Sequence, residues 1–476
     1  MTFLGALPRC GAIARAARQP ARRAYDSTRN CAPCAARRFG TTPAVRFLKG
    51  TASDSPDGDL ELNFAKRRTL DEQPVWPVTS SSTASPFSQE AKKLARSFGF
   101  LYDCDGVLHL GDQKIDSAKS ALRLCWDHDS RYLFLTNGGG NTTEEQKAAS
   151  LKKKVGIDGV DDLIGDRVIQ SHTPLRKFRT QAKEDQTIYI TSLDPERARE
   201  IAHSYGFKNV ITSTDLLEQY EHIYPFTPKH IFNSKGRALP NGTKLWRGKD
   251  AMAYDAAELK SGNYLKIDHV FIFNDPRDWS LETQIIHDIL ASHQGYLGTL
   301  SHKNGDQSLE NGGWQQDGQP KVWISNLDLL WKTEHPINRF GTGAFLHAFR
   351  GVWKESTGHE LLFKYMGKPS RITYEYAHDS LLRANGAADG RAEPLRRVYM
   401  IGDNPESDVR GALEFQPEDG TEYVPILVKT GVWRQTEAER QPRWQPAVIV
   451  DDVLDAVVWA MRNEGIDVTR EAVENM

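Results

Sequence analysis

The chain has 476 residues, 39% hydrophobic and 26% charged, with a formal net charge of −2. That length suggests two folded units with ample core, and no apolar run approaches the roughly 18 residues a spanning helix needs, which argues against an integral membrane protein. The charge is unevenly placed: residues 1–46 hold nine Arg, no Lys and one acid, Asp26, leaving 52 basic against 62 acidic residues in the remainder, a net −10 that argues against nucleic acid as a partner.

The first 46 residues, basic, Ala-rich and nearly free of acid, read as a mitochondrial transit peptide addressed to the matrix. A basic tail without an address is the alternative. Leu4-Gly5-Ala6-Leu7 is too short an apolar stretch for a secretory signal, whereas Arg37-Arg38-Phe39 has the spacing of a processing site that would be cut after Phe39 or near Arg46. Cys31 and Cys34 have redox spacing but no βαβ context and no second pair for zinc, and five scattered Cys imply no disulfide framework. Residues 47–90, rich in Ser, Thr, Pro and Asp, are expected to form a disordered linker.

A strand and helix alternation follows. Phe98–Tyr102 reads as a buried strand, Asp116 to about Trp126 as an amphipathic helix, Tyr132–Leu135 as the next strand, and Thr142 with Glu145 as the capping box of a helix ending near Gly156. That order implies a parallel sheet with helices on both faces. A second α/β rhythm starts near Ile188, with strands at Ile188–Ile190, Val210–Ile211, Val270–Phe273 and Val322–Ile324 and helices at Pro195–Tyr205 and Glu282–Ala291. Residues 205–268 and 300–320 are loop-rich elaborations. The chain closes with a helix near Ile372–Leu382, strands at Val398–Ile401 and Val424–Val428, an edge strand at Val448–Val450 and a helix from about Asp452.

Three strand ends carry the chemistry, since ligands of such sheets gather there. Asp103-Cys104-Asp105-Gly106 places two acids at i and i+2, on one side of an extended chain, and Gly106 lets the backbone turn. One carboxylate can then serve as nucleophile and metal ligand while the other handles a proton. A surface Asp-x-Asp-Gly turn is the plain alternative; a calcium loop fails because the twelfth position from Asp103 is Lys114, not Glu. Cys104 should face the core, as should Cys125 in a helical stripe. Thr136-Asn137-Gly138 ends the second strand, Gly367-Lys368-Pro369-Ser370 offers one cation before a helix, and Gly402-Asp403 through Asp408 supplies a second acidic pair. Gly138-Gly139-Gly140 is no dinucleotide fingerprint, because Thr143 stands where the last Gly is needed, and Gly236–Lys244 has the wrong count for a phosphate loop.

In that order these residues resemble the four motifs of the haloacid dehalogenase superfamily of phosphotransferases. Thirty residues separate Asp105 from Thr136 and 231 separate Thr136 from Lys368, so a cap inserted at the second point resembles the type II, subfamily IIA arrangement. Ser325-Asn326-Leu327-Asp328 looks like the subfamily's Asn-Pro-Asp element with Leu327 for Pro, Gly341-Thr342-Gly343 and Thr357-Gly358 look like its Gly-x-Gly and Thr-Gly elements, and a mitochondrial branch carries a stretch like Asn274-Asp275-Pro276-Arg277-Asp278-Trp279. The resemblance implies an α/β fold: a Rossmann-like doubly wound parallel sheet core, residues 91–180 and 361–476, with an inserted α/β type II cap domain over 181–360.

It also implies a Mg²⁺-dependent phosphatase that hydrolyses a small phosphorylated metabolite through an aspartyl-phosphate. Asp103 would be the nucleophile and Asp105 the acid and base, while Thr136 and Lys368 hold phosphoryl oxygens beside Asn137 and Gly138. Asp103, the Asp105 carbonyl and Asp403 would ligate octahedral Mg²⁺, with Asp408 ordering Lys368 or the metal waters. An acid at Asp105 favours a phosphatase, because the transport ATPase branch has Thr there. A phosphatase of glycerophospholipid metabolism and a non-enzymatic binding protein on the same scaffold stay open. The expected partner is a small phosphorylated substrate, with no nucleic acid and no integral membrane association; a homo-oligomer is left open. The Gly138–Gly140 triplet departs from the usual Asn and Ser-rich loop. His109 reads as an ordinary polar loop residue, with a reach into the site as the alternative, and Arg277 and Asp278 as substrate contacts or a structural ion pair.

Overall fold

The computed structural model of the protein describes residue 85 and residues 88–157, 164–178, 180–226, 235–384, 394–434 and 441–475. The expected transit peptide and nearly all of the expected linker lie outside them. A helix, Gln89–Ala95, already begins inside the stretch read as linker, N-capped by Ser88. The strands are, in order, β1 (Phe98–Tyr102), the hairpin β2 (His109–Leu110) and β3 (Gln113–Lys114), β4 (Arg131–Thr136), β5 (Val168–Gln170), β6 (Thr187–Thr191), β7 (Asn209–Ile211), β8 (His269–Ile272), β9 (Lys321–Ile324), the ribbon β10 (Leu330–Trp331) and β11 (Arg339–Phe340), β12 (Lys364–Tyr365), β13 (Arg397–Gly402), β14 (Glu422–Val428) and β15 (Val448–Val450).

Six of them form an all-parallel sheet in the order β15-β14-β13-β1-β4-β5, and five form a second in the order β12-β9-β8-β6-β7. β15 is an edge strand, as its short apolar run implies. The first sheet winds outward from β1 to β5, the chain leaves to build the second, and it returns at β13 beside β1. At the β1 and β13 boundary the winding direction reverses, so the loops leaving these strands part and form a crevice.

Alternation across each strand explains why the sheets are buried on both faces. Phe98, Phe100 and Tyr102 of β1, Tyr132 and Phe134 of β4, and Tyr399 and Ile401 of β13 pack on one side with Ala118, Leu122 and Cys125 of the helix Asp116–Asp127 and with Cys104. Leu101, Leu133, Leu135, Val398 and Met400 face the other side against Tyr374, Ala377 and Leu381 of the helix Arg371–Arg383. Both thiols are therefore core groups, and burial pushes each up to about 12. The inserted sheet repeats the plan: Val270 and Ile272 pack against the helices Trp279–Ala291 and Thr342–Thr357, whereas Phe271 and Phe273 pack against Pro195–Ser204. The loop-rich elaborations are pinned to this core by Leu239, Leu245, Leu259, Leu265 and Ile267. β12 (Lys364–Tyr365) joins the inserted sheet beside β9.

The helix after β4 starts one residue later than Thr142 suggests. Thr143 caps Glu144–Val155 and pairs reciprocally with Gln146, because Thr142 is occupied by Gly139 O and the Gln170 amide. Glu144 in its first turn ties the two sheets' helical layers together. Its Oε1 accepts from Tyr205 Oη at 2.7 Å and Thr173 Oγ1 at 2.8 Å, and its Oε2 accepts from Arg176 at 2.9 Å. Burial pushes this carboxyl up, but the hydrogen bonds outweigh it and bring it down to about 2. A depressed carboxyl stabilises fully above its unfolded value and loses that stabilisation as pH falls through its folded one. Glu144→Gln is therefore expected to cost about 2–3 kcal/mol at neutral pH, with the gap to wild type closing as the pH drops from about 4.5 toward 2. Denaturant titrations showing a constant gap down to pH 3 would contradict this.

Candidate active site

β1 is level with Ile401 of β13 and Phe134 of β4, so Asp103, Asp403 and Thr136 emerge side by side at one end of the sheet. Asp103 N donates to Ile401 O at 2.9 Å, continuing the ladder into the loop. One carboxylate oxygen each of Asp103, Asp403 and Asp408 lies within 4.8 Å of the others, and all three residues are buried. Glycine is required around them. Gly106 has φ of 91°, and a Cβ there would stand 2.2 Å from Asp403 Oδ2; a Cβ on Gly431 would stand 1.8 Å from the same atom. The two backbones close round Asp403, whose Oδ2 accepts from Val432 N at 2.6 Å.

Lys368 is fully buried, and its Nζ lies 2.7 Å from Asp408 Oδ1 and 2.9 Å from Asp103 Oδ1. Burial works against its charge, but Asp103, Asp408 and Asp328 overcome that and hold the ammonium well above its usual range. Burial lifts Asp103 to about 6 even with Lys368 beside it, and burial with Asp103 and Asp408 as neighbours lifts Asp403 further. Three carboxylates facing one ammonium are over-supplied with negative charge. An oxygen-only set of this kind fits a hard divalent cation such as Mg²⁺. Asp403 Oδ1 and Asp103 Oδ2 receive no hydrogen bond among the described residues, whereas both oxygens of Asp408 are taken, Oδ1 by Lys368 and Oδ2 by the N–H groups of Asp403 and Asn404. Asp103 and Asp403 are thus the side chains that could hold such an ion, with Asp408 behind them.

The Asp105 side chain points elsewhere. Its Oδ2 lies 3.4 Å from Lys147 Nζ and its Oδ1 3.5 Å from His109 Nδ1. Burial would raise its pKa, but Lys147, His109 and Lys154 prevail and leave it below the usual carboxylate range. His109 is a buried residue against the site rather than a solvated loop residue, because β2 turns it inward; burial brings its imidazole down to about 4. Lys147 escaped sequence reading because nothing local distinguishes it from the other Lys of its helix, and only the packing of that helix brings it to Asp105.

Thr136 is buried, and its Oγ1 accepts from Gly138 N at 3.0 Å. A Cβ on Gly138 would lie 3.0 Å from Asp105 Oδ2, on Gly139 1.8 Å from Gln170 Nε2, and on Gly140 2.5 Å from Phe273 O. Close approach of the loop to the acid, to β5 and to the inserted unit accounts for the triplet. The Asn137 side chain is committed to other residues: its Oδ1 accepts from Lys368 N at 2.7 Å, and its Nδ2 donates to Lys368 O at 3.0 Å and to Asp328 Oδ2 at 2.9 Å. Asp278 accepts from Leu281 N as the N-cap of Trp279–Ala291, which therefore begins three residues before Glu282; no ion pair joins it to the exposed Arg277 among the described contacts.

Residues 100–208 match a family model described as haloacid dehalogenase-like hydrolase, and residues 365–456 match a second, HAD-hydrolase-like model. A solved glycerol phosphate phosphatase of Mycobacterium tuberculosis in complex with magnesium is 15% identical, with a TM-score of 0.42 over 77% of this chain and 78% of that one. A cardiolipin synthase and mitochondrial hydrolase fusion protein of Schizosaccharomyces pombe is 31% identical over 385 residues, 81% of this chain and 55% of that one. A mitochondrial hydrolase of Saccharomyces cerevisiae is 31% identical over 389 residues, 78% of this chain and 96% of the yeast protein. Likeness on that scale, with Asp103, Thr136, Lys368 and Asp403 converging at the ends of a doubly wound sheet, means that the chain belongs to the haloacid dehalogenase-like hydrolase family.

Proposed function

We propose that the chain is a Mg²⁺-dependent phosphatase acting on a small phosphorylated metabolite. The observation that carries this is Asp103: a buried carboxylate with Oδ1 held by Lys368 at 2.9 Å, Oδ2 free of hydrogen bonds, and a second acid two residues on whose side chain lies apart from the carboxylate cluster. The Asp103 carboxylate attacks phosphorus, and the new bond to it forms as the bond to the leaving oxygen breaks. Asp105 gives that oxygen a proton, then takes one from the water that hydrolyses the acyl phosphate, releasing inorganic phosphate and restoring Asp103. Lys147 and Lys154 favour the carboxylate form that the water step needs; an arriving phosphate dianion adds the negative charge that favours the protonated form. Thr136 Oγ1 and Lys368 Nζ offer donors to the phosphoryl oxygens, beside Gly138, whose N–H is held by Thr136 Oγ1. Asp103 and Asp403 would hold Mg²⁺, which would offset the repulsion between the anionic ester and the carboxylates.

Folded wild-type protein with Mg²⁺ is expected to hydrolyse an aryl phosphate, and Asp403→Asn is expected to keep the fold while weakening Mg²⁺ binding by at least tenfold. Unchanged Mg²⁺ affinity in the variant would remove Asp403 from the site. If the wild type attacks neither aryl phosphates nor a broad metabolite panel, the binding-protein reading replaces this one. One observation favours a second substrate class: a relative is fused to a cardiolipin synthase, so phosphate-terminated glycerolipids belong in the panel. The relatives' names support a mitochondrial location and the Arg-rich residues 1–46 support a matrix address, which amino-terminal sequencing of the organellar protein tests, an intact Met1 counting against it. The two sheets support a core and cap division, and among the described residues no helix is long and apolar enough to cross a membrane.

A further inference from the structure

The Lys368 ammonium contacts two carboxylates, those of Asp103 and Asp408, yet it sits on a loop that connects two units of the fold. Its two ends are fixed by different residues. The backbone is gripped by Asn137, whose side chain takes both Lys368 N at 2.7 Å and Lys368 O at 3.0 Å. The ammonium is gripped by Asp408 at 2.7 Å, and Asp408 sits in a turn that Asn404 caps by accepting from Glu406 N at 3.0 Å. An amide works in this way in only one of its two orientations. Rotated by half a turn, Asn137 would offer N–H to Lys368 N–H, and Asn404 would offer N–H to Glu406 N–H.

One carboxylate contacts both amides. Asp328 Oδ2 accepts from Asn137 Nδ2 at 2.9 Å and Asp328 Oδ1 accepts from Asn404 Nδ2 at 3.2 Å. Asp328 belongs to neither core loop. It follows β9 of the inserted sheet, in a turn whose Asn326 Oδ1 accepts from Asp328 N at 2.7 Å and whose Asn326 Nδ2 donates to Asn137 O at 3.2 Å. We propose that Asp328 is a positioning residue for the reaction: a carboxylate of the inserted cap that sets the polarity of two core amides, and through them the backbone and ammonium of Lys368. The core site is then complete only with the cap seated, which couples substrate enclosure to assembly of the phosphoryl-binding cation. Asp328 touches neither phosphate nor metal in this scheme. The inference rests on the phosphatase reading for its assay, not for its geometry.

An exchange of side chains tests it. Asp328→Asn sets a donor against one of the two amide N–H groups, and Asn404→Asp sets a carboxylate against a carboxylate. The combined variant, Asp328→Asn with Asn404→Asp, restores a donor and an acceptor to every contact: Asn at 328 donates to Asp at 404 and accepts from Asn137, and Asp at 404 still accepts from Glu406 N. With an aryl phosphate and Mg²⁺, each single variant is expected to lose about 10- to 100-fold in kcat/KM, and the exchange to return to within about threefold of wild type. Circular dichroism and thermal melting check that each variant is folded. If Asp328→Asn does not fold, the Asn404→Asp variant and the exchange carry the same comparison. Single variants with wild-type activity, or an exchange no better than its worse parent, would overturn the proposal; an inactive wild type would instead overturn the phosphatase reading.

Discussion

Asp103→Asn is expected to abolish turnover of every phosphate ester, a loss of about 10⁴ or more, and to form no phosphoryl-protein, because the amide has no anionic oxygen to offer phosphorus. The fold should survive. Asp103 is one of three buried carboxylates around a single ammonium, and burial already lifts it to about 6. Removing its charge relieves repulsion among the acids as well as costing the 2.9 Å contact to Lys368, so thermal stability without added metal is expected to stay within a few degrees of wild type. Rapid acid quench with labelled substrate reads the phosphoryl-protein directly. Phosphate on the folded variant at the wild-type level would eliminate Asp103 as nucleophile.

Asp105→Asn separates the two acids by chemistry. It keeps the nucleophile and removes the proton donor and the base for water, so hydrolysis of an alkyl phosphate is expected to fall about 10²- to 10⁴-fold. An aryl phosphate, whose leaving group needs little protonation, should suffer least in the first step. The acyl phosphate should then accumulate, since its breakdown still lacks a base. The variant also leaves Lys147, whose side chain is only 12% exposed, without its carboxylate partner, so a loss of stability should accompany the loss of rate. Equal losses for alkyl and aryl esters, with no trapped intermediate, would assign Asp105 a purely structural part.

Much of the architecture was legible because it is written locally. Runs such as Phe98–Tyr102 and Val398–Ile401 are buried on both faces, and their aromatic and aliphatic side chains pack alternately against helices on opposite sides of the sheet, so strand identity follows from composition and the parallel order from the helices between them. Asp103, Thr136 and Asp403 could be placed for the same reason: they end those runs. Capping was legible only to within a residue, since Thr142 and Thr143 both offer a hydroxyl and only the contacts of Thr142 with Gly139 and Gln170 decide between them.

Sequence by itself determined the two α/β units, the strand ends that carry Asp103, Thr136 and Asp403, and the insertion point before Lys368, because period, turn residues and spacing act over a few neighbours. Tertiary structure alone decided what those residues work with. Lys147 reaches Asp105 across 42 positions, Asn137 reaches Lys368 across 231 and Asp328 reaches Asn404 across 76, in each case through a hydrogen bond or ion pair between segments that meet only when the sheet closes around its insertion. Such contacts leave no local pattern. A Lys on an amphipathic helix or an Asn after a strand looks the same whether it faces water or a buried carboxylate, and the energy that singles it out exists only once burial has removed the water that would otherwise solvate it.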